Sequence, residues 1–129
     1  MSMWETYSLE SRIRKILHEV PTRHSDHHFG RPFLTAYQIA ICFAKRYPSD
    51  YATIGKDIGG KATGQRDSLA KYFANQLSRR IKSGVLTDIE GRFLNLRQLR
   101  SLKFDDGVRR FESSLGPSSE LSLFRIVDD

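Results

Sequence analysis

Residues 63–84, TGQRDSLAKYFANQLSRRIKSG, carry two interleaved patterns. Leu69, Tyr72, Phe73, Leu77 and Ile81 recur every three or four residues, the spacing of one buried stripe on an α-helix. Ser68, Lys71, Asn75, Arg79 and Lys82 follow the same spacing out of phase, so they share the opposite, solvent-facing side. Gly84 is a helix stop. The spacing predicts a helix from Thr63 or Gly64 to Ser83, with a greasy underside and a polar, cationic outer ridge.

Beyond Gly84 the period shortens. Val85–Asp88 and Arg92–Leu96 read as short strands joined by Ile89-Glu90-Gly91, a predicted hairpin. A short helix is expected over 97–104, a turn at Asp105-Asp106-Gly107, and another helix from Val108 to Leu115. Gly116-Pro117-Ser118-Ser119 breaks the chain, and residues 121–127 have strand character.

Towards the N-terminus, Asp50 is placed to cap a short helix ending near Ile58, where Gly59-Gly60 stops it. Thr35 and Gln38 have capping-box spacing. The helix they open is apolar almost all round (Tyr37, Ala40, Ile41, Phe43, Ala44, Tyr47), the mark of a central helix. Residues 21–33 form a polar, proline-bounded loop. A first helix is expected from Met3 or Ser8 to Glu19, with Ile13, Ile16, Leu17 and Val20 inward. The expected fold class is α+β, mainly α: one domain over 1–129, with an N-terminal helix in 1–20, a core in 34–96 and a C-terminal extension in 97–129.

A chain of 129 residues, 39% hydrophobic and 28% charged, buries enough surface to fold without staples. The sole cysteine, Cys42, lies in the most apolar stretch, so no internal disulfide forms and a buried role is expected. That stretch, Ile39–Ala44, is far shorter than the roughly 20 residues of a membrane helix. Without a recognisable signal peptide, the expected compartment is the cytoplasm.

The net charge of +6 is uneven. Residues 60–103 hold ten Lys/Arg against three Asp/Glu, whereas residues 104–129 hold three against six. A basic middle and an acidic tail suggest a local polyanion-binding surface.

Three patterns invite a catalytic or metal reading. Gly55-Lys56-Asp57-Ile58-Gly59-Gly60-Lys61-Ala62 has phosphate-loop spacing, but Ala62 stands where a magnesium-holding hydroxyl is needed, and a helix precedes it rather than a strand. His24, His27 and His28 have metal-compatible spacing around Asp26, yet no cysteine lies nearby and solvated loop histidines are the commoner outcome. Asp105-Asp106 and Asp128-Asp129 sit in a turn and at the terminus. The expectation is a non-enzyme with no catalytic residues, no metal and no cofactor.

The segment from Asp50 to Leu96, in element order and charge, resembles the winged helix-turn-helix family of nucleic-acid-binding domains. The resemblance implies that Asp50–Ile58 supports, Thr63–Ser83 is the recognition helix and Val85–Leu96 is the wing. The implied partner is duplex DNA, with the helix in the major groove. Gln65, Arg66 and Ser68 would meet base edges, while Lys61, Lys71, Asn75, Arg79 and Lys82 would hold phosphates or further bases. Arg92, near the hairpin turn, would grip phosphate or enter the minor groove. The turn 59–64 is longer than the usual three or four residues. Homodimerisation is expected by analogy, through 1–20 and 105–129. The alternative is a small protein-interaction module (adaptor, inhibitor or immunity-like), because fold does not determine function.

Overall fold

In the computed structural model, the structure describes residues 1–21, 28–60, 67–113 and 120–127. The chain is α+β. Helix α1 (Met3–Thr6) and α2 (Leu9–His18) divide the expected first helix, because Ser8 between them takes a left-handed conformation at φ 51°. Leu9, Ile13, Ile16 and Leu17 of α2 are buried. Strand β1 (Leu34–Thr35) leads directly into α3 (Ala36–Arg46). There the Gln38 amide donates to the Thr35 hydroxyl and the Thr35 amide donates to the Gln38 side chain, the full capping box. Helix α3 buries Ala36, Tyr37, Ile39, Ala40, Ile41 and Phe43 and packs against α2, α4 and α5, as its all-round apolar pattern requires.

Helix α4 (Pro48–Ile54) starts earlier and ends earlier than expected. Pro48 provides a pre-set first position, and Asp50 lies in the first turn, where it pairs with Arg12 at 2.6 Å rather than capping. Gly55 closes α4 in the left-handed region, and Ile58 is buried as part of the following segment. Helix α5 (Leu69–Lys82) has Ser68 as its N-cap and buries Leu69, Ala70, Phe73 and Leu77.

The expected hairpin of Val85–Asp88 with Arg92–Leu96 does not form. Residues 89–91, its supposed turn, lie inside one continuous strand, β2 (Ile89–Asn95). The Val85 and Leu86 amides donate instead to the Arg80 carbonyl, closing the C-terminus of α5, and are therefore spent before any ladder begins. Strand β2 pairs antiparallel with β5 (Glu120–Ile126) over seven residues, from Ile89 opposite Ile126 to Asn95 opposite Glu120. β5 also pairs with β1, so the sheet order is β1–β5–β2. Residues 120–126, expected in a peripheral extension, thus form the central strand.

The helices expected over 97–104 and 108–115 are replaced among the described residues by a hairpin, β3 (Lys103–Asp105) with β4 (Arg110–Glu112). Asp106 holds its turn: one carboxylate oxygen accepts from the amides of Val108 and Arg109. The hairpin does not project. Phe104 stacks on Tyr37 of α3 at 4.9 Å and 12°, and buried Ser113 exchanges hydrogen bonds with the Leu102 backbone. One hydrophobic core runs from Trp4 to Ile126 and gathers residues of α1, α2, α3, α5, β2 and β5.

Candidate functional site

Helix α5 carries the charged surface. Lys71, Asn75, Ser78, Arg79 and Lys82 are all exposed, and at 100° per residue they fall within about a third of the helix circumference. From Lys71 to Lys82 the ridge is about 16 Å long at 1.5 Å per residue. Among the described residues none of Lys71, Arg79 and Lys82 has a carboxylate partner. Arg80 leaves the ridge: its guanidinium lies 4.4 Å from the Trp4 ring and bonds to Gln76, fastening α1 onto α5.

Ser68 is a correction. It was expected on the exposed face, but it is buried, and its hydroxyl accepts the Lys71 amide as the N-cap of α5. The same end of the helix is closed in two further ways. The Leu69 amide donates to the Asp57 carbonyl at 2.8 Å, and the Ala70 amide donates to the Ile58 carbonyl at 2.9 Å. With the first three amides of α5 bonded internally, this helix N-terminus does not offer free donors to a phosphate. Lys61, Gln65 and Arg66, expected at this end, lie outside the described residues.

The open part of the surface is the other end. Between the last turns of α5 and the β2–β5 ladder lies a groove of about 330 Å³. Ile81, Gly91 and Phe124 form its apolar lining; Ser78, Ser122, Lys82 and Arg92 supply its polar atoms; Phe93 stands at its side, 70% exposed. Lys82 and Arg92, placed on separate elements by the sequence, thus meet across one depression. Arg92 is paired with Glu90, which Arg125 also engages at 2.7 Å, so the three side chains together carry one net positive charge. Phe93 and the groove were not foreseen. The signal was present as an aromatic next to an arginine, but its exposure depends on which face of β2 the helix covers.

His24 and His27 lie outside the described residues, and His28 packs edge-on against Phe29 at 4.7 Å. Gly55, the first residue of the phosphate-loop pattern, is the C-cap of α4. Burial pushes the Cys42 thiol upward, away from the reactive thiolate. Among the described residues no helix is long and apolar enough to cross a membrane. No protein-family model, curated protein or solved structure matches the chain.

Proposed function

We propose that this chain is a non-catalytic DNA-binding protein that engages the sugar–phosphate backbone and groove edges through the exposed side of α5. The observation that carries the reading is the ridge Lys71–Asn75–Arg79–Lys82: one solvent-facing stripe, cationic at three of four positions, with Arg92 beside its C-terminal end. An α-helix fits the major groove of duplex DNA, and a stripe about three turns long matches a side-on docking.

The winged-helix plan enters this proposal in altered form. The strand that follows the proposed recognition helix, β2, pairs with the distant β5, and the β3–β4 hairpin packs onto α3 through Phe104. With the N-terminal amides of α5 occupied, binding falls to the side and the C-terminal half of the helix. Asn75 is the residue on the ridge able to pair with adenine, and the three cations position rather than specify. The working compartment is the cytoplasm, where the single, half-buried thiol of Cys42 stays reduced.

Lys71, Arg79 and Lys82, with the one net positive charge shared by Arg92, Glu90 and Arg125, should neutralise about four phosphates, giving a log–log salt slope of about −3.5 on duplex DNA. Lys71→Ala with Arg79→Ala should bring the slope to about −2 while leaving the melting temperature unchanged, because both side chains are exposed. Absence of any shift on duplex or single-stranded DNA at low salt overturns the proposal and leaves the protein-interaction reading.

A further inference from the structure

The groove beside the ridge is chemically different from the ridge itself. A surface that only meets phosphates needs cations and no cavity. Here an apolar lining of Ile81, Gly91 and Phe124 sits between two cations, with an aromatic ring left 70% in water at its side. Phe93 lies on the same face of β2 as Gly91, the face that lines the groove, and its ring stays exposed there. The groove volume, about 330 Å³, is at the small end of the range for small-ligand sites, about 300–1,000 Å³. It is a space for one planar group rather than for a peptide helix or a second domain.

Taking the DNA reading as its premise, we propose that this groove holds one unpaired base of a DNA strand, stacked on Phe93, with Lys82 and Arg92 beside its phosphate. A base has two π-faces, one for the ring and one for the apolar lining, and its phosphate meets Lys82 together with the one net positive charge of Arg92, Glu90 and Arg125. Ser78 and Ser122 offer hydroxyls that donate or accept, which suits any base edge. The ridge continues from the groove along α5, so a duplex lying on Lys71–Arg79 would deliver an unpaired nucleotide from its end to Phe93. The chain would then prefer DNA in which duplex and unpaired nucleotides adjoin.

The test compares one blunt duplex with the same duplex carrying a five-thymidine overhang, at fixed salt, for the wild type and Phe93→Ala. The exposed ring contributes nothing to the core, so the variant should fold; its circular dichroism melt checks this. The wild type should bind the overhang substrate about five- to hundredfold more tightly than the blunt one, the range that one stacked base supplies. Phe93→Ala should lose that gain and keep its blunt-duplex affinity. Phe93→Trp should retain the preference, and its indole fluorescence should quench on addition of overhang DNA only. Equal binding of blunt and overhang duplex by the wild type overturns the groove proposal while leaving the DNA reading intact. Failure to bind either substrate overturns both. A uridine overhang of RNA that binds more tightly than the thymidine one overturns the assignment to DNA.

Discussion

Single residues decide where this chain can turn and where it cannot change. Gly60 has φ +97°, and a Cβ built there would lie 2.2 Å from the Glu112 carbonyl oxygen. The contact is with backbone, so it cannot relax by a rotamer change. Left-handed backbone costs an L-residue about 1–2 kcal/mol by itself, and the clash adds to it. Gly60→Ala should therefore cost about 3 kcal/mol in a urea melt. Gly91 is the opposite case: an added methyl would meet the Phe124 ring and Ile81 at 3.4–3.5 Å, close to ordinary contact. Gly91→Ala should change stability by less than about 1 kcal/mol. Equal costs at the two sites would contradict the packing of the 57–60 segment against β4.

The elements are held to one another by a few directed contacts, and one of them makes a pH signature. Arg14 of α2 bonds to Asp88, just before β2, and this guanidinium holds the Asp88 carboxyl below its ordinary range. Because the folded value lies below the unfolded one, the pair's stabilisation is present above about pH 4 and is lost as pH falls through the folded value. The carboxylate is 44% exposed, so solvent screening limits the effect to less than about 1 kcal/mol. Asp88→Asn should be less stable than the wild type at pH 7, and the gap should close as pH falls below about 4 in thermal melts. A gap that widens with acid would mean that the pair does not form. The capping of α3 and α5 by Thr35 and Ser68 is local chemistry, and here the expectations differ in outcome. Thr35 caps as its spacing implies, whereas Ser68 caps α5 although its spacing also fits the exposed face. Periodicity could not separate those roles, because a helix start and a helix face obey the same spacing.

At the scale of the whole molecule, the sheet ties Leu34–Thr35 and Ile89–Asn95 to Glu120–Ile126. β5 is flanked on both edges, and Leu121, Phe124 and Ile126 are buried in the common core. Truncation after residue 113 should abolish cooperative unfolding rather than trim a tail, because β1 and β2 would lose their only shared partner among the described strands. A cooperative melt in the truncated chain would show that the helices fold without the sheet.

The amphipathic helices were legible because their signal is local: the stripe Leu69–Phe73–Leu77, the capping box at Thr35 and the all-round apolar α3 each lie within a few turns. The exposed ridge of Lys71, Asn75, Arg79 and Lys82 was legible for the same reason, since a helix that buries one face must present the other. The β-structure was not. Asp106-Gly107 flanked by Phe104 and Phe111 is a hairpin signal, but helical spacing of the same residues competed with it. The partner of β2 lies some thirty residues away, and nothing within Val85–Leu96 reports that its best ladder is with Glu120–Ile126 instead of with itself. Sequence alone determined which faces are apolar, since periodicity is a property of neighbours along the chain. Tertiary structure alone decided that the α5 N-terminus is closed and that Lys82, Arg92 and Phe93 share one groove. Those outcomes depend on hydrogen bonds and strand pairing between segments far apart in the chain, and they are chosen by competition over the whole fold.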